Sequence, residues 1–141
     1  IDLTLIGDSM AAHLMQQGKI NKVISGADRI ARNGDSANKI GTYNLAILSE
    51  YHNIPFYIAA PASTFDLSLK SGKQIPIEER PKKEIINLLS KPVAALNTKV
   101  FNPAFDVTSH SLISAIITEK GIISPPYFRN IERVIKAKGC S

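Results

Sequence analysis

Short runs of β-branched and apolar residues alternate along this chain with longer stretches in which apolar positions recur every three or four residues. That alternation predicts βαβ units built on a parallel sheet. Leu3 to Gly7 reads as a buried strand. Asp8 and Ser9 then offer N-cap oxygens to a helix reaching about Gln17 and ended by Gly18. Val23-Ile24, closed by Ser25-Gly26, predicts a second strand, and Phe56 to Ala60, bracketed by Pro55 and Pro61, a third. Between them Ala27 to Ala37 reads as a loop. Ile40, Tyr43, Leu45, Ala46 and Leu48 then fall at helical spacing as far as His52-Asn53.

The regularity weakens from Ala62 to about Pro76, where Ser, Thr, Gly and Lys dominate. Beyond it the pattern predicts a short helix over Lys82 to Ser90, a last strand at Val100-Phe101, a loop from Asn102 to Val107, and a helix from Ser109 to Lys120 ended by Gly121. Pro125-Pro126 interrupts the chain before a final basic helix.

Length and composition narrow the class. A chain of 141 residues is sized for one domain, which at this length buries about 68–70% of the surface its unfolded chain exposes. Hydrophobic residues at 44% and charged residues at 21% are ordinary for a globular protein and argue against disorder. The longest apolar runs, such as Ile54 to Pro61, are too short to span a bilayer, and no secretory leader is read at the start. Cys140 is the single cysteine, so an internal disulfide is excluded and a reducing cytoplasm is the expected compartment. Because the chain opens at Ile1 inside a strand-like run, with no initiator methionine, a preceding segment is expected.

The net charge of +5 raises the question of a polyanionic partner. The excess gathers at Arg80, Lys82 and Lys83 and at Arg129, Arg133, Lys136 and Lys138. No aromatic residues are interleaved to stack on bases, so these segments read as solvated surface rather than a nucleic-acid interface. No His/Cys/Asp cluster has metal spacing and no dinucleotide fingerprint occurs, so neither a metal nor another cofactor is expected. His13, between Ala12 and Leu14, reads as an ordinary helix residue, and Pro103 with Asp106 as a fixed turn.

In open parallel sheets ligands bind beyond the carboxyl ends of the strands. Three such places here hold polar groups: Asp8-Ser9, Gly26-Ala27-Asp28-Arg29, and Ala60-Pro61-Ala62-Ser63-Thr64. The second is the richest, because Asn33-Gly34-Asp35 and Asn38-Lys39-Ile40-Gly41-Thr42 follow it. Asn38-Lys39 reads as the opening of a helix, whose N-terminus carries unpaired N–H groups and about half a positive charge. Together these residues read as a carboxylic acid beside an anion cradle. A second reading stays open, in which Asp28 caps the loop or pairs with Arg29 or Arg32, and Asp35 and Asn38 are helix caps.

The wording of these segments is more specific than their chemistry. Gly26-Ala27-Asp28-Arg29-Ile30, the run from Asn33 to Thr42, Pro55 to Pro61, Ile75-Pro76-Ile77-Glu78-Glu79-Arg80, Asn102 to Thr108 and Ile117-Thr118-Glu119-Lys120-Gly121 together resemble the C-terminal domain of methylthioribose-1-phosphate isomerases. That family sits with the alpha, beta and delta subunits of translation initiation factor 2B and with ribose-1,5-bisphosphate isomerases. The likeness covers about residues 1 to 127, which it makes a single Rossmann-like α/β domain with a parallel sheet and flanking helices, lacking its first strand-helix unit. Residues 128 to 141 are left as a basic, helical tail.

The resemblance implies a cytoplasmic, dimeric aldose–ketose isomerase of methionine salvage. It converts 5-methylthioribose 1-phosphate to 5-methylthioribulose 1-phosphate without a metal. The anomeric phosphate locks the sugar as a ring, so an acid must help open it before hydrogen moves between C1 and C2. The family's aspartate in that role falls on Asp28, and its substrate-binding pair on Asn38 and Lys39. A carboxylic acid donates a proton near neutral pH only when its surroundings disfavour the charged form, as an apolar strand end does.

The family also uses a cysteine on a loop of the preceding segment, an arginine-bearing phosphate site and a glutamine just before the opening strand. None of these matches a residue here, and Cys140 lies in the wrong place to be that cysteine. The resemblance therefore implies half a site, completed by a separate N-terminal half. Two other classes are weighed: a non-catalytic assembly module like the initiation-factor subunits, and an isomerase of ribose 1,5-bisphosphate. Retention of Asp28, Asn38 and Lys39 together argues against the first, and the Ile75 to Arg80 and Asn102 to Thr108 wording against the second.

Overall fold

A computed structural model describes residues 1–88, 91, 92, 95 and 97–136. Helix α1 (Ala11–Gln16) leads to strands β1 (Val23–Ser25), β2 (Arg29–Ala31) and β3 (Ser36–Lys39). Helix α2 (Thr42–Tyr51), strands β4 (Phe56–Ala59) and β5 (Phe65–Asp66), and the one-turn helix α3 (Lys83–Ile86) follow. Strands β6 (Asn87–Leu88), β7 (Lys91–Pro92), β8 (Phe105–Thr108), β9 (Ala115–Thr118) and β10 (Gly121–Ile123) precede helix α4 (Tyr127–Lys136).

The strands build two four-stranded sheets in a mixed α/β arrangement. The first runs β1-β4-β9-β10, with β1, β4 and β9 mutually parallel and β10 antiparallel at one edge. The second runs β5-β2-β3-β8 and is antiparallel except where β5 joins β2. A short β6-β7 hairpin stands apart. Ile58 and Ile116, on adjacent strands of the first sheet and both fully buried, share a core with Ile30, Phe56, Tyr127 and Ile131. Burying an aliphatic or aromatic side chain of this size contributes about 1.5–3 kcal/mol.

Several sequence expectations hold. The strands at Val23-Ile24 and Phe56 to Ala60, the C-terminal end of the helix closing at His52, the helix after Asp8 and the start of the final basic helix all fall within about three residues of expectation. Others are corrected. Leu3 to Gly7 is neither a strand nor buried: Leu3 and Leu5 are 93% and 95% exposed. An apolar run becomes a strand only when another strand pairs with it, and among the described residues nothing pairs with the outer edge of β1. A 3-10 turn (Asp8–Met10) enters α1 without the side-chain cap expected of Asp8 or Ser9.

The segment from Ala27 to Ala37, expected as a loop, is mostly the β2-β3 hairpin. Its Asn33-Gly34 step, a turn-forming pair, reverses the chain with Gly34 at φ 93°. The residues expected to form a helix from Ser109 to Lys120 instead make a 3-10 turn (His110–Leu112) and then β9. Ile116 and Ile117 are β-branched, and pairing with β4 on one side and β10 on the other outweighs their helical spacing. Gly121, read as a helix stop, starts β10 after a two-residue turn.

Asp106 lies on β8 rather than in a loop, and Val100-Phe101 forms no strand. The short helix expected over Lys82 to Ser90 is confined to Lys83–Ile86, with Ser90 outside the described residues. Cys140 and Lys138 lie outside them too. Helix α4 begins at Tyr127, and Ile131 on it is fully buried in the common core.

Candidate functional site

The polar residues singled out in the sequence meet where β1 ends, the β2-β3 hairpin begins and closes, and α2 starts. Asn38 does not open a helix. It is the third residue of β3, and α2 starts at Thr42 after Gly41. Its side-chain nitrogen reaches the hydroxyl of Ser25, the last residue of β1, at 3.1 Å and that of Thr42 at 3.0 Å. Thr42 donates its only hydroxyl proton to the Lys39 carbonyl at 2.8 Å, so toward Asn38 it accepts. That orientation turns the Asn38 amide group the other way, and its oxygen makes no hydrogen bond among the described residues. Asn38 therefore offers a ligand an acceptor, suited to a hydroxyl donor.

Asp28 immediately precedes β2, and its backbone N–H donates to the Ala37 carbonyl at 2.8 Å. Arg29 pairs with Ala37 and Ile30 with Ser36, and because Asp28 also gives its N–H to the Ala37 carbonyl, Asp28 stands opposite Ala37, the residue before Asn38 in β3. On the other side of β3, Asn38 is paired with Asp106. Asn38 and Asp106 thus stand side by side on β3 and β8, with Asp28 at the open end of the hairpin beside Ala37. The Asp28 side chain is exposed, so the apolar enclosure expected around it is not supplied by the described residues. Arg29 and Arg32 engage other carboxylates, Asp66 at 3.7 Å and Glu132 at 2.7 Å.

Lys39, exposed at the end of β3, lines a cleft of about 330 Å³ between residues 6–11 and the start of α2. Ile6, Asp8, Thr42 and Asn44 share this lining, whereas Asp28 and Asn38 do not. The α2 N-terminus, expected to hold an anion, is already engaged by one from the chain itself. The Asp106 carboxylate accepts from the Gly41 N–H at 2.7 Å and the Tyr43 N–H at 3.1 Å. Beyond β4 the same thing happens, since Glu119 accepts from the Ala62 N–H at 2.9 Å. A phosphate in the cleft therefore meets the Lys39 charge without the Gly41 and Tyr43 amides, which Asp106 already takes.

Sequence reasoning missed a second cluster, at the opposite end of the hairpin. Asp35 accepts from the Asn33 side chain (2.9 Å), the Gly72 N–H (2.9 Å), the His110 N–H (2.9 Å) and the imidazole Nδ1 of His110 (2.7 Å). Nδ1 must carry a proton to face a carboxylate, so its 3.5 Å approach to the Asn33 amide nitrogen sets two donors together and is no bond. Burial pushes the Asp35 carboxyl up, but the donors from His110, Asn33 and Gly72 prevail and hold it below the usual carboxylate value. The only sequence signal was the turn-forming Asn-Gly-Asp itself. His13 is exposed and touches Gln17. Among the described residues no group of His, Cys, Asp and Glu has a metal-holding arrangement, and no helix is long and apolar enough to cross a membrane.

Residues 1–125 match the initiation factor 2 subunit family. The chain is 61% identical over 135 residues to a methylthioribose-1-phosphate isomerase of Fervidobacterium nodosum, covering 96% of this chain and 39% of the relative. It is 55% identical over 136 residues to a 5-deoxyribose 1-phosphate isomerase of Bacillus cereus, covering 96% and 39%. Among solved structures, a 5-methylthioribose 1-phosphate isomerase from Pyrococcus horikoshii OT3 superposes with a TM-score of 0.93 at 48% identity, over 98% of this chain and 38% of that one. Subunit delta of the translation initiation factor eIF-2B from A. fulgidus gives 0.90 at 51%, over 96% and 39%. The chain thus spans about two fifths of the length of the proteins it matches.

Proposed function

Because this chain belongs to the initiation factor 2 subunit family, we propose that it carries one wall of the active site of a sugar-phosphate aldose–ketose isomerase. The substrate class is 5-methylthioribose 1-phosphate, converted to its ribulose isomer in methionine salvage. Asp28 is the acid that opens the ring, Asn38 receives a sugar hydroxyl, and Lys39 faces the phosphate. The observation that carries the reading is that Asp28 is tied by its N–H to Ala37, the β3 residue next to Asn38, with Lys39 following on the neighbouring cleft.

The exposure of Asp28 fits this reading. An acid in half a site becomes enclosed only when the rest of the site, and the substrate, cover it. That cover is an N-terminal half, on the same or a separate polypeptide, working as a cytoplasmic homodimer and without a metal or cofactor. The parallel trio β1, β4 and β9 is read as part of a Rossmann-like domain whose first strand-helix unit lies outside this chain.

The decisive experiment is an isomerase assay with 5-methylthioribose 1-phosphate and 5-deoxyribose 1-phosphate, on the chain alone and joined to an N-terminal half. Activity only in the joined form, lost about 10²–10⁴-fold in Asp28→Asn, is the expected result. Full activity in Asp28→Asn sinks the assignment.

A second reading is favoured by one specific observation. Subunit delta of an initiation factor superposes nearly as well as the isomerase, and Asp106 takes two amides at the start of α2, those of Gly41 and Tyr43, in accord with it. A non-catalytic assembly module would bind no sugar phosphate in either form.

A further inference from the structure

We propose that Asp106 is a positioning residue for Asn38 and Lys39, holding the turn between β3 and α2 in the shape that presents both to a ligand; this rests on the isomerase reading above. Within the turn the Thr42 hydroxyl donates to the Lys39 carbonyl, but no local side chain takes the Gly41 and Tyr43 amides at the helix entry. Gly41, the residue before α2, sits at φ 104°, and no side chain within the turn caps the helix. Glycine loses the most conformational freedom of any residue when ordered, so a helix entered through it needs an anchor from elsewhere.

Asp106 supplies that anchor from a different strand, 65 and 63 residues away along the chain from the two amides it holds. One carboxylate oxygen takes the Gly41 N–H and the other the Tyr43 N–H, so the group bridges the residues on either side of Thr42. Thr42 is the residue that fixes the site, because its buried hydroxyl ties together the Lys39 carbonyl and the Asn38 amide. Asp106 also pairs with Asn38 directly across β3 and β8, so one residue controls both the strand position and the turn that follows it.

A carboxylate is better suited to this than an amide or a hydroxyl. It has two acceptor oxygens for two donors, and its charge matches the positive end of α2. It also settles the division of labour at the site. With the Gly41 and Tyr43 amides held by Asp106, the full positive charge offered to an anion is that of the Lys39 side chain.

The test uses the complete protein that carries this sequence, with Asp106→Ala and Asp106→Asn. Amide exchange at Gly41 and Tyr43 should quicken at least 10-fold in Asp106→Ala, and the side-chain amide signal of Asn38 should shift, with Asp106→Asn partly restoring both because it keeps one acceptor. In the isomerase assay kcat/KM should fall at least 10-fold in Asp106→Ala and recover in part in Asp106→Asn. If Asp106→Ala does not fold, Asp106→Asn read against wild type decides the matter through the same signals. An Asn38 signal and a kcat/KM both unchanged in the variants overturn the proposal. A wild-type protein with no isomerase activity overturns the catalytic reading instead, while the Asn38 signal still decides whether Asp106 positions it.

Discussion

Gly34 lies against the ring of Tyr127: a β-carbon at Gly34 would stand 2.8 Å from Cγ and 2.9 Å from Cβ of that side chain. Tyr127 cannot easily withdraw, being 2% exposed with its hydroxyl donating to the Ile113 carbonyl at 2.7 Å. The hairpin turn and the start of α4 are thus fitted to one another through the absence of a methyl group. Gly34→Ala adds that clash to the strain of an L-residue at φ 93° and should cost about 3 kcal/mol. Chemical denaturation measures it, and a loss within about 0.5 kcal/mol, the range of a neutral surface change, contradicts the fit.

Asp35 gives the protein a specific weakness in acid. Its carboxyl is held below the ordinary value of 3.8, burial being outweighed by the donors from His110, Asn33 and Gly72. A group depressed in the folded state contributes stability present above its unfolded pKa and lost as pH falls through the folded one. Wild-type stability should therefore drop further below pH 3.8 than that of Asp35→Asn. At neutral pH the same substitution should cost about 2 kcal/mol, since it turns an amide toward donors. Urea titrations at neutral and acid pH test both, and parallel pH profiles for the two proteins contradict the assignment.

Helix α4 belongs to the core in energetic terms. Ile131 is fully buried, and Val134 and Ile135 pack against the same cluster. Ile131→Ala should cost about 2–5 kcal/mol, whereas exposed Arg133→Ala should stay within about 0.5 kcal/mol. Equal effects of the two on the denaturation midpoint would show that the helix is merely attached.

Lys39 and Asn38 should separate stability from binding. Lys39 is exposed and lines the cleft, so Lys39→Met should leave the thermal midpoint unchanged. It should also weaken binding of a sugar phosphate and flatten the salt dependence of that binding. Asn38→Ala removes two hydrogen bonds and should cost about 1–3 kcal/mol of stability as well as affinity. Calorimetry of ligand binding together with thermal unfolding distinguishes them, and a Lys39→Met protein that binds with wild-type salt dependence refutes the role given to that charge.

The candidate residues were legible in the sequence because the words containing Asp28, Asn38 and Lys39 are specific, and the strands at Val23 and Phe56 because β-branched and aromatic runs bounded by Gly or Pro have few other uses. The second sheet was not legible. Its strands Arg29–Ala31 and Ser36–Lys39 are short and half polar, and they gain strand character only by pairing with each other and with Phe105–Thr108. The same holds for β9, whose spacing read as a helix until two neighbours claimed it.

What the sequence determined by itself was the local chemistry: a carboxylate, an amide and an ammonium within twelve residues, and apolar runs enough for an α/β core. Only the tertiary structure decided how those groups face one another. It placed Asn38 on a strand, turned its oxygen outward by giving its nitrogen to Ser25 and Thr42, and engaged the helix terminus with Asp106 from β8. The physical reason is that hydrogen-bond partners far apart in the chain are chosen by sheet pairing, which a local pattern does not encode.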